Sequence, residues 1–325
     1  MNEKASGSPL IRGEGLRKEY TFRKNGKKQV TKAVDGVDIE LRRGETLGLV
    51  GESGCGKSTL GRLLIRLTEP DGGKIIYEGR DITTCGMKPY RKSLQIVFQD
   101  PGGSLDPKMK VGDIVAEGLA INGIGKNAAE RRQIAADQLL QVGLGPECLD
   151  RRPGSFSGGQ QQRIAIARAL AVSPEFLVCD EPVSSLDVSY QAQIMNLLSD
   201  LQDKLGLTYL FISHDLSVVR RMSDRIAVMY LGRIVEEGPA DDVCSSPAHP
   251  YTKALLKAVP QPDPDLATEE DEGPAELSAD VPEGGCSFFP RCLEAAERCR
   301  SEKPGLFKVS EDRKCACWLY EQSAL

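Results

Sequence analysis

The stretch ETLGLVGESGCGKSTLGRLL, residues 45–64, sets a short apolar run against a glycine-rich turn and then leucines at helical spacing. The change of period from 2 to 3.6 predicts a strand, a turn and a helix in direct succession. Inside it, Gly51, Glu52, Ser53, Gly54, Cys55, Gly56, Lys57, Ser58 and Thr59 spell GESGCGKST, with Gly51, Gly56, Lys57 and Ser58 where a P-loop requires them. The glycines let backbone wrap around phosphate oxygens, and the helix that follows aims free amides and its positive end at the same charge. Lys57 is read as reaching the β- and γ-phosphates of a nucleotide, and the Ser58 hydroxyl as a ligand to Mg²⁺.

Outward from that loop, short β-like runs alternate with longer amphipathic ones, the pattern of an α/β protein with a mainly parallel sheet covered by helices. Strands are predicted over 33–41, 45–51, from Leu94, from Glu175, from Leu207 and from Arg225, with a helix over SYQAQIMNLLSDLQDKL. The 325 residues, 40% of them hydrophobic, suffice for one large domain or two ordinary ones. No apolar run approaches the roughly 20 residues of a membrane span, and the start of the chain lacks the apolar core of a secretory signal, so a cytoplasmic location is expected. The net charge of -5 gives no sign of a nucleic-acid partner.

A second motif, FLVCDEP, ends an apolar strand in two acids. Asp180 suits the outer Mg²⁺ shell and Glu181 suits polarisation of a water for attack on a γ-phosphate. Paired acids after a strand also suit a helix cap, and the upstream P-loop decides for the catalytic reading. A third, FSGGQ, puts Ser157, Gly158, Gly159 and Gln160 at a helix start, where bared amides attract an anion.

Together with Gln99 in VFQD, Asp187 in SSLD and His214 in FISHD, these residues make the chain resemble the ATP-binding subunits of ABC transporters over about residues 10–260. The resemblance implies the P-loop ABC ATPase fold, a mixed sheet core with a helical and an antiparallel β subdomain. It implies Glu181, His214 and Gln99 as catalytic residues, Ser58, Gln99 and Asp180 around Mg²⁺, and Tyr20 stacked on the adenine, with Phe22 competing for that place. The Ser157 turn is implied to grip the γ-phosphate of ATP held by a partner's P-loop, with Asp187 beside it. A soluble ABC ATPase without a transporter and a P-loop kinase are the competing readings; the single cassette, the absence of heptads and the Ser-Gly-Gly-Gln turn speak against them.

A narrower resemblance, carried by QDPGGSLDPKMKVGDIVAEGL, HPYTKALLKAVPQPDP and the C-terminal cysteines, is to the second ATPase subunit of oligopeptide/dipeptide importers. It implies peptide uptake with a second ATPase subunit, two transmembrane permease subunits and an extracytoplasmic solute-binding protein, at the cytoplasmic face of the membrane. Nickel or another small solute is the alternative cargo. Gly102-Gly103 and RRPGSFSGGQ depart from the branch, which usually carries a bulkier pair and often His-Glu ahead of the signature.

Composition shifts after Ala258: no Lys or Arg occurs from Val259 to Pro290, and Asp, Glu, Pro, Ala and Gly dominate. The expected division is a nucleotide-binding domain over 1–258, a solvated acidic linker over 259–285 and a cysteine-rich extension over 286–325. Five of the ten cysteines fall in that extension. The branch resemblance implies that Cys286, Cys292, Cys299 and Cys317 hold a 4Fe-4S cluster in some members, with Cys315 an extra thiol. Their spacing alone matches neither a zinc knuckle nor a ferredoxin run, so zinc and free or paired thiols stand beside the cluster as readings. Cys55 and Cys179 read as ordinary small core residues, and His249 as the start of a helix packed on the linker.

Overall fold

The computed structural model describes residues 9–24, 27–184, 186–258 and 284–324. Two sheets organise it. The smaller is antiparallel, in the order β2-β1-β4-β5, from β1 (Pro9–Lys24), β2 (Lys27–Arg42), β4 (Gly72–Tyr77) and β5 (Arg80–Asp81). The larger contains β3 (Thr46–Val50), β6 (Leu94–Val97), β7 (Phe176–Asp180), β8 (Thr208–Ile212), β9 (Arg225–Tyr230), β10 (Arg233–Pro239), β11 (Phe307–Ser310) and β12 (Arg313–Cys315). Its order is β11-β12-β10-β9-β3-β8-β7-β6. The run from β9 through β6 is parallel, and β10, β12 and β11 add antiparallel pairings at the other end.

Every predicted strand is found, and the reason is legible in the pleat. In β7, Phe176 and Val178 enter one apolar cluster while Leu177 and Cys179 enter the other; in β8, Leu210 and Ile212 oppose Tyr209 and Phe211 in the same way. A strand buried on both faces needs an unbroken apolar run, which is what a parallel sheet with two covered faces selects. One cluster joins the main sheet to the antiparallel sheet and α1 (Lys57–Leu64) through Leu16, Leu47, Leu60 and Leu63. The other lies under the helical side, where the four-residue α2 (Pro101–Ser104) precedes α3 (Val111–Ile121), α4 (Ala128–Gln141), α5 (Gly158–Leu170) and α6 (Val188–Leu205).

The helix α7 (Leu216–Met222) packs against β3, α8 (Ala240–Ser245) against β10, and α9 (Pro250–Lys257) and the short α10 (Arg298–Ser301) belong to the C-terminal end. There the cysteine-rich segment is continuous with the cassette: β12 pairs with β10, Glu236 with Cys315 and Glu237 with Lys314. Glu236 is fully buried and accepts from Arg313 Nε at 3.1 Å, from the Ala248 amide at 2.9 Å and from the His249 amide at 2.8 Å. A buried carboxylate with these partners ties β12 and the start of α9 to β10. The segment over 259–283, where the linker is expected to lie, falls outside the described residues, as does the packing of α9 on it.

His249 starts α9 as predicted, its Nδ1 accepting from the Tyr251 amide at 3.0 Å. It is buried against Phe288, and that burial lowers its pKa to about 4, with Glu236 opposing. The unfolded chain takes up this proton near pH 6.5 and the folded chain only near pH 4, so the contribution is complete above pH 6.5 and is lost as the pH falls toward 4. Stability is expected to drop by about 2 kcal/mol between pH 7 and pH 5 from this group. Urea unfolding at the two pH values checks this against His249→Asn, which keeps a cap acceptor and should show a flatter pH dependence.

Candidate nucleotide site

The sheet order brings the motifs together. Strands β6, β7, β8 and β3 lie side by side and parallel, so their carboxyl ends share one edge. After them come Gln99, the Asp180-Glu181 pair, His214 and the P-loop, in that spatial order. Segments separated by more than a hundred residues thus meet where open α/β sheets gather their ligands.

The P-loop leaves β3 on Gly51 at φ 152° and enters α1 on Gly56 at φ 110°. A Cβ on Gly51 would come within 2.1 Å of the Met229 carbonyl oxygen, and one on Gly56 within 2.0 Å of the Ala33 carbonyl oxygen, so no other residue fits either place. Gly56 caps α1 without a side-chain hydrogen bond, leaving the first-turn amides of Ser58 and Thr59 to an outside acceptor. Lys57 is buried with its ammonium donating to the Gly51 carbonyl at 2.7 Å and the Glu52 carbonyl at 2.9 Å. The cation is therefore held inside the curve of the loop. Cys55 is a buried thiol whose pKa burial raises, and Ser53 and Gly54 form the exposed crest.

Asp180, 1% exposed, accepts from the Ser58 hydroxyl at 2.6 Å and lies 3.7 Å from the Arg62 guanidinium. Burial raises its pKa, against the Ser58 bond and the Arg62 charge. Two hard oxygens at this separation suit a magnesium ion, whose charge would offset the desolvation of the carboxylate. Glu181 sits at φ 47°, a left-handed backbone that is uncommon outside glycine and disfavoured for a side chain of this length. Its Oε2 accepts from Gln99 Nε2 at 2.9 Å and lies 3.3 Å from His214 Nδ1. Gln99, Glu181 and His214 thus meet at one carboxylate oxygen.

The remaining predicted residues stand apart. Ser157 begins α5 with a capping box: its amide donates to the Gln160 side chain at 3.1 Å and its hydroxyl accepts from the Gln160 amide at 3.4 Å. Phe156 is buried under Arg151, while Ser157, Gly158 and Gln160 are exposed and Gly159 packs under Tyr190. Among the described residues the turn bonds within itself and not to the P-loop. Asp187 starts α6 beside Val188, which is 82% exposed. Tyr20 lies exposed on β1 with the Lys18 ammonium 5.9 Å from its ring centroid. At Gly103, one of the two glycines that depart from the branch, the amide donates to the Asp100 carboxylate at 3.0 Å, which caps α2.

Sequence reasoning missed three contacts. Arg62 faces Asp180, the Tyr251 phenol accepts from the Glu52 amide at 2.8 Å, and Arg291 bonds the Glu52 carboxylate. Arg62 lies one turn beyond Ser58 on α1, a spacing that could have flagged it; the other two come from chain 199 and 239 residues away. The four candidate cluster cysteines, Cys286, Cys292, Cys299 and Cys317, line one cavity of about 170 Å³ together with Phe288 and Trp318. Among the described residues no three His, Cys, Asp or Glu are grouped to hold a metal ion, which bears on the zinc and the 4Fe-4S readings alike.

The ABC transporter family profile matches residues 34–184, and the profile for the oligopeptide/dipeptide transporter C-terminal region matches residues 235–299. The dipeptide transport ATP-binding protein DppF of Haemophilus influenzae is 49% identical over 325 residues, covering 98% of each chain. Among solved structures, the dimeric post-hydrolysis state of the ATP-binding cassette MJ0796 bound to ADP and Pi aligns with a TM-score of 0.64 and 28% identity over 71% of this chain and 99% of that one. The dimeric structure of MJ0796, a bacterial ABC transporter cassette, aligns with a TM-score of 0.64 and 29% identity over the same shares. With its P-loop, paired acids and signature turn on this fold, the chain belongs to the ATP-binding subunits of ABC transporters, in the oligopeptide/dipeptide branch.

Proposed function

We propose that this chain hydrolyses ATP to drive uptake of oligopeptides or dipeptides, clasping ATP head to tail with a second nucleotide-binding subunit. The observation that carries the catalytic part is the meeting of Gln99 and His214 on Glu181, next to the Ser58–Asp180 pair at the mouth of the P-loop. Glu181 accepts a proton from the water that attacks the γ-phosphate, Gln99 fixes that water, and His214 orients the phosphate under attack. Lys57 and the amides of residues 53–59 hold the phosphates. Ser58 and Asp180, with Gln99, would hold Mg²⁺, which supplies charge neutralisation for the triphosphate when bound. Tyr20, exposed on β1, stacks on the adenine.

The Ser157-Gly158-Gly159-Gln160 turn, exposed except at Gly159, and the exposed Asp187-Val188 face support a site finished by a second subunit, since among the described residues the Ser157 hydroxyl proton has no acceptor and Val188 is left uncovered. Residues 1–258 form the nucleotide-binding domain, 259–285 a linker and 286–325 the extension. No described helix is long and apolar enough to cross a membrane. Two transmembrane permease subunits form the path in this reading, with a solute-binding protein delivering cargo from outside. The chain then works at the cytoplasmic face. Similarity to a protein named for dipeptide transport supports the choice of peptides.

Four thiols around one apolar-walled cavity suit a 4Fe-4S cluster, whose iron corners each take one cysteine and so need ligands spread around it. Cys286, Cys292, Cys299 and Cys317 would hold it, and it would brace a segment with little apolar core.

Glu181→Gln is expected to keep ATP binding and lower turnover by roughly 10²–10⁴-fold; steady-state phosphate release checks this, and full turnover would remove Glu181 as the base. Ser157→Arg in this chain should stop hydrolysis at the partner's P-loop while leaving ATP bound to its own, read by nucleotide trapping in a heterodimer with one P-loop disabled. For the cysteines, protein purified without oxygen should carry about four iron and four sulfide per chain, and replacing Cys292 by Ser should abolish both; iron at background levels in the wild-type chain would eliminate the cluster.

A further inference from the structure

Glu52 places a carboxylate on the loop that must receive a triphosphate. Left free, it would repel its own ligand. Arg291 meets it with two parallel bonds, Nη1 to Oε2 at 3.1 Å and Nη2 to Oε1 at 2.9 Å. The pair is shielded: the arginine side chain is 13% exposed and the glutamate 31%. The guanidinium also lies 5.6 Å from the Phe288 ring centroid and 5.8 Å from that of Tyr230. Tyr230, Tyr251 and Phe288 pack on one another with centroids 4.5–5.5 Å apart, and the Tyr251 phenol accepts from the Glu52 amide. Backbone and side chain of one P-loop residue are therefore both held from the C-terminal end of the chain.

We propose that Arg291 is a positioning residue of the ATP site, which from the cysteine-rich segment neutralises Glu52 and, with Tyr251, fixes the shape of the P-loop. An isolated surface ion pair would contribute little. This one is bidentate, backed by aromatic faces and sits beside a site for a polyanion, where one uncompensated charge acts directly on ligand affinity. The planar fork is what arginine offers and lysine does not. Arg291 ends a short turn, Phe289–Arg291, directly before Cys292 on the cysteine-lined cavity. Docking of the extension and the readiness of the P-loop are consequently one event.

The inference rests on the P-loop binding ATP, which Lys57→Ala tests separately. In the full-length chain, Arg291→Gln is expected to raise the KM for ATP, and the Kd of a non-hydrolysable ATP analogue, by about tenfold, with kcat within twofold. Adding Glu52→Gln should recover most of that loss, because no carboxylate remains to be neutralised. A residue that merely anchors the extension would give no such rescue. An unchanged KM in Arg291→Gln, or a defect of equal size in the double variant, overturns the proposal. If Arg291→Gln alone melts early, Glu52→Gln compared with the double variant carries the test: equal KM supports the proposal and a further tenfold rise overturns it. Loss of binding in Lys57→Ala beside a normal Arg291→Gln sinks this inference alone, whereas retained binding in Lys57→Ala sinks the nucleotide reading with it.

Discussion

The structure depends on reconciling carboxylates with a polyanion in one small space. Glu52, Asp180 and Glu181 all stand at or beside the P-loop, and each would oppose a triphosphate if left bare. Each has its own partner: Arg291 for Glu52, Ser58 and Arg62 for Asp180, Gln99 and His214 for Glu181. The partners come from α1, from the loops after β6 and β8, and from the C-terminal segment. Positioning the acids therefore requires the whole sheet to be in register, which links catalytic competence to the fold more tightly than any single motif does.

Strand order does most of that positioning. Because β6, β7, β8 and β3 are parallel neighbours, a residue just past each strand's end is placed at the shared edge without any long-range design of its own. The left-handed backbone at Glu181 is the local exception. Such a conformation has a cost of order 1–3 kcal/mol, and here it accompanies a side chain that meets both Gln99 and His214.

Most of the cassette could be read from the sequence because its parts are local. A buried parallel strand is a continuous apolar run, a phosphate loop is a fixed spacing of glycines, and a helix cap is a serine with a glutamine three residues on, so β3, the P-loop and Ser157 were all legible. What escaped was long-range. Of the outer sheet, the alternation over 33–41 marked β2 and the family resemblance implied the antiparallel layer; what stayed unreadable is the register of β1 with β2 and β4, which several bulges interrupt. The pairing of β12 with β10 joins a cysteine-rich segment, which reads as a unit of its own, to the main sheet, and pairings of two and three residues leave no periodic trace. Arg291 and Glu52 are 239 residues apart, so no spacing rule could connect them. The cysteines lie between these cases: their number is plain, but that four of them face one cavity follows only from the turns around Phe288 and Trp318.

The signature turn shows how one side chain can serve two masters. A hydroxyl has a donor proton and two acceptor lone pairs. Among the described residues the Ser157 oxygen uses its acceptor side, toward the Gln160 amide, and the 3.4 Å separation is at the long end for that contact. Its proton has no acceptor among the described residues and stands at a helix start whose dipole favours negative charge. In the proposed sandwich the capping box and the grip on a partner's phosphate are therefore compatible, since the inner bond orients the oxygen and the outer one uses the proton. Alanine would lose both and aspartate would keep the cap while presenting a negative charge to the phosphate. Serine meets both demands because it caps the helix while staying neutral and keeping a proton to give.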